Sequence, residues 1–351
     1  MLTTCYFDYI IILLKASFKN GWRSFRPEDV RITQKNYVGM SIALFAVLIF
    51  LFAKYLPVYA TNAPLLMLGM VFLAMTVAIT IIFCLVVITK RRYVRQQWLT
   101  LNRFRHLLFL MVKRDFVTRY RRSVLGVLWS LLNPLLTMLI MTMVFSHLFR
   151  FDIPNFPVYL LSGRILFDFF SDSTTQAMNS VLDNAGIIKK VYVPKYVFPV
   201  SRVLSSLVNL GFSFIAFLLV FIITRATFHW TILLVPIPII LLFIFSLGIG
   251  MILSSIAVFF RDMKHLYVVS MTLLMFLTPI FYPVSILPES IFHLIHFNPL
   301  FHFVGYFRAL ALEGFVPGFW TNIICIGLAL LALCCGLYVM MTKQDKFILH
   351  L

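Results

Sequence analysis

The chain has 351 residues, of which 62% are hydrophobic and 12% charged, and its formal net charge is +18. A soluble chain of this length cannot bury so much apolar surface, and runs of about 20 apolar residues are typical of membrane spans. The positive charge does not indicate nucleic-acid binding, because that function needs a basic face on a soluble domain and no such domain is visible. The composition indicates an all-α polytopic membrane protein whose cations collect on the cytoplasmic side.

The first segment, 1–36, is predicted to lie in the cytoplasm or on the membrane surface. Its apolar run is too short to span, and Asp8 and the lack of a small-residue cleavage site argue against a signal peptide. Eight apolar segments follow, each long enough to cross roughly 30 Å of hydrocarbon as a helix. They lie at about 37–56, 65–89, 124–149, 156–181, 199–224, 230–259, 266–287 and 320–342.

These spans divide the chain into four predicted regions. The N-terminal segment 1–36 is followed by a pair of spans (37–89), a basic cytoplasmic segment (90–123) and a domain of six spans (124–351). Most lysines and arginines fall in segments that this arrangement puts on one side of the membrane. Both termini are therefore predicted to be cytoplasmic.

The basic segment 90–123 carries an apolar stripe at spacings of three and four residues, made of Trp98, Leu101, Phe104, Leu108 and Met111. This spacing predicts an amphipathic helix with arginine and lysine on its other faces, lying in the headgroup layer and contacting anionic lipid. Two interpretations stay open: a basic membrane anchor, or an anchor that also forms a docking surface for a cytoplasmic partner.

Motifs of nucleotide binding and enzyme chemistry are absent from the sequence. There is no GxxxxGK[ST] loop, GxSxG elbow or HExxH helix. The tetrapeptide "LSGR" at 161–164 looks like the start of the ATP-binding-cassette signature, but it lies inside an apolar span and is interpreted as a chance match. His293, His296 and His302 come without acidic or cysteine ligands, so we predict that the chain itself binds no metal and no cofactor.

The fourth span carries Arg164, Asp168 and Asp172, which fall at i, i+4 and i+8 on one helix face. Ionic side chains inside a membrane are costly and usually face the protein interior or a cavity. They are predicted either to line a substrate path or to form an internal ion pair that fixes helix packing.

The last external segment is strongly apolar over 291–312 and is interrupted at Asn298-Pro299. Proline removes a backbone donor and disfavours helix in the residue before it. The pattern predicts two short helices that dip into the bilayer and meet at Asn298, where they line or gate a passage. Arg308 on this segment either binds a departing acidic group or caps free backbone carbonyls. The alternative is a pair of surface helices in the outer headgroups.

Five stretches together resemble the membrane subunits of polysaccharide-exporting ABC transporters, the permeases for O-antigen, capsule and teichoic acid. They are "RDFVTRYRRSVLGVLWSLLNPLL" (114–136), "NAGIIKKVYVPKYVFPVSRVLSSLV" (184–208), "FFRDMKHL" (259–266), "TPIFYPVSILPE" (278–289) and "FNPLFHFVGYFRALALEG" (297–314). The resemblance covers about 98–342. It implies a six-helix permease core with an N-terminal interface helix and re-entrant external helices, while the spans in 37–89 are additional to the usual pattern.

The resemblance also implies partners and a substrate. A second copy of the chain would enclose the path, and two separate cytoplasmic ABC ATPase subunits would bind ATP and magnesium. The substrate implied is a glycan on a polyprenyl diphosphate lipid. A short coupling helix at about 184–198 would meet the ATPase through Lys189, Lys190, Tyr192, Pro194 and Lys195.

Further site residues follow from the same resemblance and from side-chain chemistry. On the interface helix, the residues expected at the lipid diphosphate are Arg114, Arg119, Tyr120, Arg121 and Arg122. Aromatic rings pack on the C–H faces of sugars, so the candidates on the substrate path, beside the charged trio, are Phe276, Phe281, Tyr282, Phe301, Phe303, Tyr306 and Phe307. The predicted external gate consists of Asn298, Pro299 and Arg308.

Three other functions remain open from the sequence. An exporter of a drug or small lipid would share the architecture, and an ion-coupled flippase would need no ATPase. The lack of an obvious inverted repeat argues weakly against the flippase. A glycosyl polymerase would need acid or metal chemistry on external loops, where the sequence offers Asp152, Glu289 and Glu313.

Overall fold

The computed structural model describes residues 102–120, 125–148, 153, 155–191, 193–286, 295–344 and 347. All of them belong to one compact unit that spans Leu65–Leu351. The described residues form helices and connecting turns without any strand, so the predicted all-α class is confirmed. The predicted spans 37–56 and 65–89, together with Trp98 and Leu101 of the stripe, lie outside the described residues.

Over the described ranges the α-helices can be numbered in chain order. They are α1 (Arg105–Tyr120), α2 (Trp129–Leu148), α3 (Phe156–Asp183), α4 (Ala185–Ile188), α5 (Val197–Ile223), α6 (Pro236–Phe259), α7 (Met263–Leu277), α8 (Pro299–Arg308) and α9 (Phe319–Lys343). Short 3₁₀ turns at Gly126–Leu128 and Trp230–Leu234 precede α2 and α6. A π-helical turn, Ala309–Glu313, follows α8.

Four described stretches are long and apolar enough to cross a membrane: Gly126–Phe145, Val197–Ile223, Trp230–Phe259 and Phe319–Lys343. Helix α3 has 28 residues, about 42 Å at 1.5 Å per residue, but its ionic side chains make it less apolar than these four. The span predicted at 266–287 is wrong at its C-terminal end, because α7 stops at Leu277. Pro279 follows directly and disfavours helix at Thr278.

Helices α3, α5, α6 and α9 form the centre of the bundle, where α6 packs between α3 and α9. Close packing of α6 on α9 depends on glycine: a Cβ on Gly248 would lie 2.1 Å from the carbonyl carbon of Ala332. On the other side of α6, a Cβ on Gly250 would lie 2.7 Å from the Cβ of Ala177 in α3. Small residues at such contacts let helix backbones approach closely, which favours helix association in membranes.

Helix α8 begins inside the bundle and runs towards its edge. Near the start of α8, the Phe303 ring lies 5.4 Å from the ring of Phe245 in α6. Phe245 lies about 14 Å along α6 from the first residue of that helix. Further on, Phe307 contacts Phe217 near the end of α5, with ring centroids 5.4 Å apart. Beyond α8, the Leu310 carbonyl accepts a hydrogen bond from Thr231, in the turn before α6. The 10 residues of α8 thus run from the interior of the bundle towards the turn that precedes α6.

The apolar stripe of the interface helix faces protein. Met111 is buried, and Phe104 and Leu108 pack against the same cluster, which is built from the ends of α3, α6 and α9 and the segment around α4. The described members of the stripe thus pack against protein, and the contact of this helix with anionic lipid stays a prediction. A different apolar side of α1 is exposed, with Phe109 at 65% and Val117 at 43%. Sequence spacing found a helix face but could not tell which of two apolar faces is covered.

Candidate functional site

A cavity of about 640 Å³ lies between α1, α2, α3 and α5 and is open to the outside of the chain. The charged trio of α3 lines it, together with Arg119 from the end of α1. Its volume lies within the range of roughly 300–1,000 Å³ that is usual for ligand sites. The structure thus brings together two groups of residues that the sequence analysis treated separately.

The four ionic side chains of the cavity form two ion pairs. Arg164 Nε donates to Asp168 Oδ2 at 2.8 Å, within α3. Arg119 of α1 lies 3.6 Å from Asp172 Oδ1, and Ser206 of α5 donates to Asp172 Oδ2 at 2.8 Å. Each pair is partly accessible, with 48% of the Asp168 side chain and 39% of the Asp172 side chain exposed. The four groups carry no net charge, yet both carboxylates can still accept hydrogen bonds from a ligand.

Neutral polar and aromatic side chains complete the cavity wall. On α2 they are Trp129, Ser130, Asn133 and Thr137, and on α5 they are Ser206, Asn209 and Ser213. Trp129 is 46% exposed. An exposed ring, amide and hydroxyl groups and carboxylates together suit a ligand with both C–H faces and hydroxyls, such as a sugar. Sequence reasoning missed these residues, although polar residues at spacings of three and four within apolar spans were the available signal.

Arg308 lies buried at the opposite end of α3 from Asp183. Its guanidinium donates to the carbonyls of Pro279 at 2.8 Å, Tyr159 at 3.1 Å and Ile280 at 3.4 Å. It also lies 3.5 Å from the centroid of the Tyr159 ring. Two of these carbonyls belong to the turn after α7, where no helix supplies a donor. This geometry matches the carbonyl-capping alternative for Arg308.

The tetrapeptide 161–164, interpreted as chance, helps to form this site. Ser162 Oγ accepts a hydrogen bond from Arg308 Nε at 3.3 Å. A Cβ on Gly163 would lie only 2.7 Å from Arg308 Nη2, so glycine makes room for the guanidinium. These partners could not be found by sequence alone, because 146 residues separate Ser162 from Arg308.

Asn298 is buried and caps α8. Its Oδ1 accepts from the Leu300 amide at 3.0 Å, and its Nδ2 donates to Thr278 Oγ1 at 2.7 Å. Pro299 occupies the first turn of α8, where a missing amide donor costs no helical hydrogen bond. The break predicted at Asn298-Pro299 is therefore a helix start tied to the end of α7. The first half-helix, before residue 295, lies outside the described residues.

Most of the aromatic candidates for the substrate path pack in the core, away from the cavity. Phe281, Phe303, Tyr306 and Phe307 are each at most 5% exposed, and Phe301 is partly buried. Tyr306 donates a hydrogen bond to Asn322 of α9. Phe276 differs, being 61% exposed, and Tyr282 is partly buried. An apolar sequence does not distinguish a ring in the core from a ring on a path.

The segment around α4 is anchored on one side and exposed on the other. Ile188 and Val193 are buried in the cluster beneath α1, whereas Lys189 and Lys190 are exposed. Ile187 and Val191 add exposed apolar surface, at 38% and 56%. Of the other residues predicted to couple, Pro194 is partly buried, Lys195 is only 7% exposed and the side chain of Tyr192 lies outside the described residues.

Of the residues expected at the lipid diphosphate, the two whose side chains the structure describes are already paired. Arg114 lies 3.1 Å from Asp115, and Arg119 contacts Asp172. The Tyr120 side chain and Arg121 and Arg122 lie outside what the structure describes. Any diphosphate that binds Arg114 or Arg119 has to compete with these carboxylates.

The fold and the cavity define a multi-pass helical membrane protein with a polar site inside its apolar bundle. Residues 106–312 match the family described as ABC-2 type transporter. Because this match covers more than half of the chain, the protein belongs to the ABC-2 type transporter family, whose members are transport permeases.

Individual relatives agree with this assignment. The chain is 35% identical over 217 residues to the O-antigen export system permease protein RfbA of Klebsiella pneumoniae, covering 59% of this chain and 81% of that protein. It is 32% identical over 219 residues to the protein of the same name from Myxococcus xanthus, covering 62% and 84%. The polysialic acid transport protein KpsM of Escherichia coli is 27% identical over 243 residues, covering 67% and 92%.

Proposed function

We propose that the chain is the membrane subunit of an ATP-driven exporter that moves a polysaccharide, carried on a polyprenyl diphosphate lipid, across the cytoplasmic membrane. The observation that carries the proposal is the polar cavity of the bundle in a chain similar to O-antigen export permeases. Hydroxyl-binding side chains and an exposed tryptophan suit a glycan better than an apolar drug or a small lipid. Both termini lie in the cytoplasm in this proposal.

ATP and magnesium would be bound by separate cytoplasmic ATPase subunits, because the sequence contains no phosphate-binding loop. The exposed side of the segment 186–191 offers two lysines beside apolar surface, which suits docking of such a subunit. Charged groups at the edge of an apolar patch give an interface specificity as well as area.

A second copy of the chain would complete the passage. Helix α2 lines the cavity, and it also exposes a run of large apolar side chains, including Leu136, Leu139, Ile140 and Met143. One core leaves the cavity open, whereas two facing cores can enclose a path between them. Cyclic dimers are also the commonest symmetric assembly.

Affinity purification tests the partner directly. The tagged chain is extracted in mild detergent, and the retained proteins are identified by mass spectrometry and assayed for ATP hydrolysis. The expected result is an equimolar ABC ATPase whose hydrolysis rises when lipid-linked glycan is added. Export of glycan from membranes depleted of ATP, with no ATPase retained, would support an ion-coupled flippase instead.

The docking segment has a matched test. Lys189→Ala with Lys190→Ala, with or without Tyr192→Ala, should reduce ATPase retention and glycan-stimulated hydrolysis while the chain stays folded in the membrane. The control is Arg261→Ala with Lys343→Ala, which removes two other exposed cations from the same end of the bundle. Equal retention in both variants would remove this segment from the interface.

A further inference from the structure

Arg202, near the start of α5, joins three elements of the bundle. Its Nη1 lies 3.0 Å from Asp115 Oδ2 in α1. Its Nη2 lies 3.5 Å from Oδ2 of Asp183, the last residue of α3. Asp183 directly precedes Asn184, where the proposed ATPase-docking segment begins. One guanidinium therefore connects the interface helix to the residue from which that segment emerges.

The two contacts of Arg202 differ in strength. The Asp115 side chain is only 8% exposed and that of Arg202 only 18%, so neither group has much water as an alternative partner. Ser205 adds a hydrogen bond to Asp115 Oδ2 at 3.5 Å. The Asp183 side chain is 50% exposed, and an exposed ion pair contributes little and is easily exchanged for water. The bond to α1 is thus firm, and the bond to Asp183, next to the docking segment, can break.

A second ionic contact lies one helical turn further, at the cavity. Arg119 follows Asp115 by four residues on α1, and Ser206 follows Arg202 by four residues on α5. Both converge on Asp172, at 3.6 Å from Arg119 and 2.8 Å from Ser206. Residues four apart lie on the same helix face, so one side of α1 and one side of α5 are joined both at Arg202 and at the cavity.

We propose that Arg202 is a positioning residue that passes a displacement of the docking segment to the cavity wall. When the segment moves, the exchangeable Asp183 contact changes, and the firm Asp115 contact moves α1 with α5. Arg119 then shifts relative to Asp172, which alters access to the cavity. This inference rests on the proposed function, because the displacement comes from an ATPase docked at the segment.

The test uses the full chain with its ATPase, reconstituted in liposomes, and measures ATP hydrolysis and glycan export together. Asp183→Asn removes the charge of the exchangeable contact and keeps the shape of the side chain. We expect glycan exported per ATP hydrolysed to fall by about fivefold or more, the usual lower range for coupling between sites. The control, Asp262→Asn, changes an exposed carboxylate on the turn between α6 and α7 and should keep the wild-type ratio.

A second variant separates coupling from folding. Arg202→Lys keeps a cation beside Asp115 but cannot hold two carboxylates with one planar group. It should lower the export-to-hydrolysis ratio as Asp183→Asn does, and the double variant should be no worse than either single one. If the two residues acted independently, the double variant would lower the export-to-hydrolysis ratio by the product of the two single effects, as in a double-mutant cycle between uncoupled sites.

Cavity access provides a readout that a merely structural role would not change. In a cysteine-free background with Asn133→Cys, ATP should change the rate of labelling by a water-soluble maleimide. The same ATP response should be lost when Asp183→Asn is added.

Each outcome has a distinct meaning. If the wild-type complex exports glycan and both variants keep its ratio and its ATP response, the inference is overturned. Hydrolysis and export that fall in equal proportion, with a lower melting temperature, would show a structural role only and also overturn it. If the wild-type chain retains no ATPase and exports no glycan, the proposed function fails and the inference fails with it.

Discussion

Arg308 is predicted to stabilise the junction of α3, α8 and the turn after α7 by hydrogen bonding rather than by attracting substrate. The change to make is Arg308→Ala, which removes the guanidinium that donates to the carbonyls of Tyr159, Pro279 and Ile280. The Tyr159 carbonyl keeps its hydrogen bond from Ser162 at 2.7 Å, but the Pro279 carbonyl keeps only a long one from the Tyr159 hydroxyl at 3.5 Å. The buried turn after α7 therefore loses its best donor, and it either holds poorly satisfied carbonyls or rearranges.

The magnitude follows from the bonds that are lost. A hydrogen bond to a charged group contributes about 1.5–3 kcal/mol, and an abandoned buried acceptor costs about 1–3 kcal/mol. The 2.8 and 3.1 Å bonds are the strong ones, while those at 3.3 and 3.4 Å are long. Since burying the guanidinium itself is unfavourable, its removal offsets part of these losses, and we expect a net loss of about 1–3 kcal/mol, the cost of leaving a buried acceptor poorly satisfied.

The assay is thermal unfolding of the chain in detergent, monitored by size-exclusion chromatography of heated samples, with export measured in cells. Arg308→Lys should lie between wild type and Arg308→Ala, because an ammonium group lacks the planar fork that reaches several carbonyls. Gly163→Ala is an independent perturbation, since its Cβ would lie 2.7 Å from Arg308 Nη2. Wild-type stability in Arg308→Ala, or full export in Arg308→Lys with loss only in Arg308→Ala, would refute the reasoning and favour simple charge attraction.

Other perturbations test packing, the cavity and assembly. Gly248→Leu should abolish accumulation of the protein in the membrane, because the added Cβ meets the backbone of α9. Gly211→Leu is the control and should be tolerated, because the space around its Cβ is open. Normal accumulation of Gly248→Leu, scored by immunoblotting, would contradict this packing. Asp168→Asn removes the charge that pairs with Arg164 at 2.8 Å and makes the cavity more positive. Export should fall about tenfold, because the loss of one charge-assisted bond is worth roughly 1.5 kcal/mol. Unchanged export would exclude this pair from the path. Leu139→Cys, at an exposed site on α2, should form disulfide-linked dimers in an otherwise cysteine-free chain, and a strictly monomeric, active variant would rule out the dimer.

The sequence predicted the bounds of some helices well, and α3 is the clearest example. Helix α3 begins at Phe156 and ends at Asp183, close to the predicted 156–181, and its charged face lines a cavity. This succeeded because ionic side chains are rare in spans, so their spacing stands out against an apolar background. The end of α7 was missed because apolar character continues past Leu277, although helix does not.

The rest of the site could not be predicted because it depends on distant pairs. Arg308 was a lone cation on an apolar segment, and its acceptors are backbone carbonyls that carry no sequence signature. The burial of Phe303 and Phe307 was equally hidden, since in a chain with 38 phenylalanines apolar character does not separate core positions from path positions. The pair of Asp115 and Arg202 was hidden as well, because the two residues lie far apart in the sequence.

Transport of glycan by the purified complex tests the central claim most directly. Inside-out membrane vesicles containing the chain and its ATPase are given polyprenyl-diphosphate-linked glycan labelled in the sugar, and an external glycosidase then digests whatever remains outside. The account predicts that protected label appears only with hydrolysable ATP and only in vesicles that contain this chain. Protection that needs no ATP and follows an ion gradient, or ATP-driven uptake of small apolar compounds with no uptake of glycan, would contradict it.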